Sequence, residues 1–124
     1  MAKAKRGIYA AAISPFTKDY RLDHSKLIDY CRYLLNDGGC DGVAPVGTTG
    51  EGSSISISDR LSLPKLLSDA GIPADRVIIG TGNPSTQDAT RISKAALEYG
   101  YVNQLVLPPF YYKSVRRVQI QMLT

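Results

Sequence analysis

Short apolar runs and amphipathic stretches alternate along the chain. GIYAAAISPF (7–16) is an apolar run with Ile and Tyr, stopped by Pro15, and predicts a strand. In 23–39, Leu27, Cys31, Leu34 and Leu35 recur at i, i+4, i+7 and i+8, which predicts a helix capped by Asp23 and ended by Gly38. GVAPVG (42–47) predicts a second strand, with Pro45 as a blemish. A poorer helical pattern follows at 58–71, with Ser58 as cap, Leu63, Leu66 and Leu67 toward a core, and Pro64 in the first turn or at a kink. RVIIGTG (76–82) is β-branched and bounded by glycine, a third strand. The strongest helical stretch is 85–100. Ser85 and Asp88 stand at capping-box spacing, and Ala89, Ile92, Ala96 and Tyr99 form the expected buried stripe. QLVLPPF (104–110) predicts a fourth strand.

Strands that alternate with helices over short links imply parallel βαβ units in the order β-α-β-α-β-α-β. Two architectures fit: an open doubly wound sheet, or part of a (β/α)₈ barrel. In both, function gathers at the C-terminal ends of the strands. Here those ends are SPF (14–16), GTTGE (47–51), GTGNPS (80–85) and PPFYYK (108–113).

Composition narrows the picture. The 124 residues suit one domain, and the net charge of +4 gathers at Lys3, Lys5 and Arg6 and at Lys113, Arg116 and Arg117. No basic stripe with interleaved aromatics points to nucleic acid. The apolar start is too short for a signal peptide, and no segment approaches the ~20 apolar residues of a membrane span. Cys31 and Cys40 stand apart with a single distant His, so they read as reduced core residues of a cytoplasmic protein, without a metal site.

The strand ends carry the candidate chemistry. Gly80-x-Gly82-x-x-Ser85 follows a strand and opens a helix, as in a dinucleotide fingerprint. The last glycine is replaced, however, and the next strand ends without the acid that would hold a ribose; the match is weak, and a tight βα turn with a capped helix is the favoured reading. In GTTGE no Lys-Ser or Lys-Thr follows, which excludes a phosphate-binding P-loop. Gly47 and Gly50 let the backbone fold closely. The amides and hydroxyls of Thr48 and Thr49 between them can converge on a small anion such as a carboxylate. A simple strand-to-helix turn remains open. Glu51 is expected as a buried hydrogen-bond anchor. Tyr111 and Tyr112 can relay a proton or orient a substrate, or pack as partly buried aromatics.

Taken together, AAISPF, GTTGE, RVIIGTGNPSTQDA and LVLPPFYYK resemble, in order, the dihydrodipicolinate synthase / N-acetylneuraminate lyase family, with Ser14 where the family usually has Thr. The likeness runs over 7–114; residues 115–124 form a divergent tail. It implies a single partial domain: the N-terminal half of a TIM (β/α)₈ barrel, with four parallel strands and intervening helices. It also implies lyase chemistry on pyruvate-like 2-keto acids through a lysine Schiff base, without cofactor or metal. Dihydrodipicolinate synthase-like activity, and lysine biosynthesis with it, is the family default. By the resemblance, Gly47, Thr48, Thr49 and Gly50 hold the keto-acid carboxylate, and the Thr48 hydroxyl joins a proton relay. Tyr112 is the relay residue offered to a neighbouring subunit, with Tyr111 packed behind it. The family's Schiff-base lysine lies at a sixth strand, and Lys113 does not match it. The chain is therefore expected to be inactive alone, and to assemble with copies of itself across the open edges of its sheet. Two alternatives stand: a non-catalytic half-barrel that binds a small carboxylate or a partner chain, and a nucleotide-binding α/β domain.

Overall fold

Parallel strands and helices alternate as the hydrophobic pattern predicts, but the strands are much shorter. The structure, a computed structural model, describes residues 3–108. The elements are β1 (Tyr9–Ala11), α1 (His24–Leu35), β2 (Gly42–Ala44), α2 (Ile57–Asp69), β3 (Ile79–Gly80), α3 (Thr86–Glu98) and β4 (Gln104–Leu105). Single 3₁₀ turns at Gly52–Ser54 and Ala74–Arg76 precede α2 and β3. β1 pairs in parallel with β2, Ala10 opposite Val43, and β3 with β4, Ile79 opposite Gln104. A parallel bridge between Val43 and Val77 joins the two pairs, continued by bonds from Ile78 N to Val43 O and from Gly80 N to Pro45 O, both 3.0 Å.

The strands stop early for local reasons. Pro45 has no N–H, and Val46 turns left-handed with φ +51°, so β2 leaves the ladder. Beyond Ala12, β1 gives its hydrogen bonding over to the loop that Pro15 enters. Phe110 and the rest of the fourth predicted strand past residue 108 lie outside the described residues.

The helices follow their sequence signals with two corrections. The Asp23 side chain caps α1, accepting from Lys26 N at 3.1 Å, and Leu27, Cys31 and Leu35 are buried, with Leu34 partly so. Helix α2 is capped by Ser56 and not by Ser58, since Ser56 Oγ accepts from Asp59 N; Pro64 lies inside the helix, beyond its first turn. Ser85 caps α3 through Asp88 N, as the spacing predicts. Ala89, Ile92 and Ala96 are buried, but Tyr99 is not part of that stripe: it ends the helix at the surface. The buried tyrosine is Tyr101, whose hydroxyl donates to Ile72 O at 2.8 Å and ties the end of α3 to the loop after α2. Burial pushes its pKa up to about 12. Cys31 is fully buried and its thiol is pushed up to about 11, whereas Cys40 is only half-buried; both are free.

One ion pair pins the loop after β1 to the start of α2. Arg21 grips the Asp59 carboxylate with Nε and Nη2, the former at 3.0 Å, and Leu22 N donates to the same carboxylate at 3.1 Å. The Arg21 hydrogen bond is the main reason the Asp59 carboxyl falls to about 2. That lies below the unfolded carboxylate value of about 4. The pair therefore stabilises the fold above that value, and its contribution disappears as pH falls toward 2. Asp59 is buried but Arg21 is 61% exposed. Solvent screening then holds the contribution to about 1–2 kcal/mol. D59N is expected to lower the unfolding free energy by about that amount at pH 7 and by little at pH 2, measured by chemical denaturation. An equal loss at both pH values would assign the effect to packing and not to charge.

Candidate functional site

The segment after β2 forms a tight turn braced from three sides. Glu51 N bonds Thr48 O and Gly52 N bonds Gly47 O, both at 3.0 Å. Gly50 lies against β1: a Cβ there would stand 2.8 Å from Ala12 O and 2.9 Å from Val46 N. Ser14, at the end of the first strand region, is buried, and its Oγ donates to Gly50 O at 2.6 Å. On the other side, a Cβ at Gly52 or at Gly80 would overlap the Val46 carbonyl oxygen. Both are glycines because backbone passes where a side chain would begin. Val46 is buried and β-branched with positive φ, a conformation held only where surrounding contacts over-determine it.

What the turn presents follows from this bracing. Its carbonyls are spent inward, on Ser14 and on the amides of Glu51 and Gly52. The amides of Gly47, Thr48, Thr49 and Gly50 have no acceptor among the described residues. Consecutive unpaired amides in a turn form an anion-binding concavity.

Beside the turn lies a cavity of about 570 Å³. Val46, Leu105 and Leu107 give it an apolar wall; Gly47, Thr48, Ser53 and Arg60 give it polar positions. Its volume lies within the ~300–1,000 Å³ of small-molecule sites. No Lys, His, Asp or Glu stands among the described residues that line it. Among the described residues no three His, Cys, Asp or Glu side chains are grouped to hold a metal, and no helix is long and apolar enough to cross a membrane. The cavity is equipped to hold an anion against an apolar wall. The residues described there include no proton donor or acceptor that titrates near neutral pH.

Of the candidate residues, Gly47 and Thr48 line the cavity, Gly50 is buried beneath the turn, and Thr49 is exposed on it. Glu51 departs from expectation. It is exposed, left-handed at φ +54°, and its side chain makes no hydrogen bond among the described residues, because the turn's inward anchor is Ser14. Tyr111, Tyr112 and Lys113 lie outside the described residues. The glycines of the dinucleotide-like pattern serve close packing: Gly80 faces the Val46 carbonyl, and a Cβ at Gly82 would stand 2.7 Å from Leu107 N. Ser85 is spent on the α3 cap.

Two positions that brace the site escaped the sequence pattern. Ser14 carried a faint signal, a hydroxyl at a strand end. Arg60 carried a clearer one, since it precedes Leu63 and Leu67 by three and seven residues and so shares their buried face. Arg60 is 2% exposed. Its Nη2 donates to Gly80 O at 3.1 Å, while Nε and Nη1 find no partner among the described residues. Burial lowers its pKa, yet a guanidinium remains charged near neutral pH.

Comparison with known proteins agrees with this geometry. The model of the Dihydrodipicolinate synthetase family matches residues 4–121. A protein named as an uncharacterized DapA-like lyase, from Chloroflexus aurantiacus, is 42% identical over 111 residues, covering 88% of this chain and 36% of its own length. The chain thus spans just over a third of that curated relative. The crystal structure of dihydrodipicolinate synthase from Agrobacterium tumefaciens str. C58 superposes with a TM-score of 0.80 at 33% identity, over 96% of this chain and 44% of that one. YagE, a prophage protein of the dihydrodipicolinic acid synthase family from E. coli K12, solved in complex with pyruvate, superposes at 0.81 with 26% identity, over 94% and 39%.

The bracing of the turn predicts a ranking of glycine substitutions. G80A is expected to cost about 2–3 kcal/mol, because the new methyl meets a carbonyl that cannot retreat. G71A has open space and only its positive φ of +77° to resist it, and should cost about 1 kcal/mol. Denaturant titration of the two variants checks the order; a reversed order would remove close packing at Val46 as the reason for Gly80.

Proposed function

The chain belongs to the Dihydrodipicolinate synthetase family, and from that membership we propose that its Gly47–Gly50 turn holds the carboxylate of a pyruvate-like 2-keto acid, as part of pyruvate-dependent, aldolase-like lyase chemistry. One observation carries this reading: the consecutive amides of 47–50 find no acceptor among the described residues, and Gly47 and Thr48 line a cavity with an apolar wall. The carboxylate takes the amides and the Thr49 hydroxyl, and the apolar wall receives the carbon chain. In this proposal the hydroxyl of Thr48, a residue that lines the cavity, joins a proton relay. A three-carbon acid fills a minor part of 570 Å³, which leaves room for a second reactant. The pyruvate complex of YagE supports the choice of ligand class.

The strand order β1-β2-β3-β4, parallel throughout, suits four consecutive strands of a (β/α)₈ barrel. In this proposal Tyr112 is a relay residue and Tyr111 packs behind it. The chain supplies the carboxylate-holding part of the reaction, and the Schiff-base lysine is none of the residues described at the cavity. β1 and β4 are the two outer strands of the series, with open edges, and Ile13 just beyond β1 is 58% exposed. Pairing of copies along these edges would cover them.

Titration of the 124-residue chain with pyruvate tests the core of the proposal. Saturable binding in the millimolar range is expected, with T49V about tenfold weaker, the worth of one charge-assisted hydrogen bond. Absence of binding by the folded chain would sink the proposal. Borohydride reduction with pyruvate, read by intact mass, is expected to give no lysine adduct; an adduct on Lys113 would place the whole Schiff-base chemistry on this chain. Sedimentation should show a species larger than the monomer, and a monodisperse monomer would remove the pairing.

A further inference from the structure

Arg60 poses a problem of charge balance that the turn does not explain. It is a cation buried in the wall of the cavity, with one nitrogen on the Gly80 carbonyl and two without a partner among the described residues. A buried guanidinium without a counter-anion is strongly unfavourable. Its neighbouring carboxylate is already taken, since Asp59 is held by Arg21 and by the Leu22 amide. Glu51, the acid of the turn itself, is exposed and forms no ion pair. No described acid at the cavity neutralises Arg60.

We propose that Arg60 is the buried counter-charge for the anionic group of the ligand, so that the cavity selects charged keto acids over their uncharged analogues. This rests on the reading that the 47–50 turn holds a keto acid, and adds the group that sets its charge preference. Arg60 lines the cavity, but its Nε and Nη1 are buried, so it acts through its charge and not through a hydrogen bond to the ligand. Its nitrogens are enclosed, and its field reaches the cavity through apolar surroundings that screen it poorly. The bond to Gly80 O also fixes its place relative to the turn, because Gly80 packs against the Val46 carbonyl and Val46 leads into Gly47. Arg60 is thus a positioning and charge-setting residue. It remains charged across the range in which a keto acid is ionised.

The test compares pyruvate with pyruvamide, nearly the same shape without the charge, by calorimetric titration of the 124-residue chain and its R60Q and R60K variants. The unaltered chain is expected to prefer pyruvate at least about tenfold. R60Q should weaken pyruvate binding about tenfold and leave pyruvamide within about twofold, whereas R60K keeps most of the preference. A purely structural role would weaken both ligands alike, and that result overturns the proposal. So does equal affinity of the unaltered chain for both ligands, which decides the matter even if R60Q fails to fold. Pyruvate binding that R60Q leaves unchanged removes the role of Arg60 and spares the function of the turn. Failure of the folded, unaltered chain to bind either ligand removes both.

Discussion

The carbonyl of Val46 sets the geometry on which the site depends. Backbone from two other segments closes on it, at Gly52 from its own loop and at Gly80 from β3. Any side chain at these positions would push the strand ends apart. Val46 itself takes a left-handed backbone that a β-branched residue avoids at a cost of about 1–2 kcal/mol, and burial of its side chain helps to offset this. Because Val46 is fixed, the residues after it leave β2 in one direction, and Gly47 and Thr48 come to line the cavity. The site results from crowding at a strand end.

Two polar groups complete the support from opposite sides. Ser14 reaches from the first strand region to the Gly50 carbonyl, and Arg60 reaches from α2 to the Gly80 carbonyl. Each spends a side-chain donor on a backbone acceptor that would otherwise be buried unpaired. They differ in what remains. The Ser14 hydroxyl is a neutral group satisfied by its one bond, but Arg60 keeps a charge that one bond does not balance.

The alternation of elements, the caps at Asp23 and Ser85 and most of the buried faces were legible in the sequence, because each rests on local spacing and on side chains that act within a turn or two. The lengths of the strands were not. They depend on where Pro45 and the left-handed Val46 break the ladder, and a positive φ at valine has no sequence signature. Gly47 to Gly50 could be singled out from their place at a strand end and from the resemblance their motif carries. The inward anchor could not be assigned, since Glu51 and Ser14 both offered a polar group and only their three-dimensional places distinguish them. Arg60 was hidden by its type: a charged residue is read as solvated until the helix face that carries it is seen to be buried.

Support and recognition are divided between different positions within a few residues of one another. Gly50, Gly52 and Gly80 admit no side chain, whereas Thr48, Thr49 and Ser53 are exposed and their side chains hold no hydrogen bond that the turn needs. A change at the first set disturbs the frame, and a change at the second leaves that frame intact. Such a segment is well suited to diversification. Three side chains can vary while the backbone that presents them is inherited unchanged, so the surface of the turn can change without passing through an unfolded ancestor.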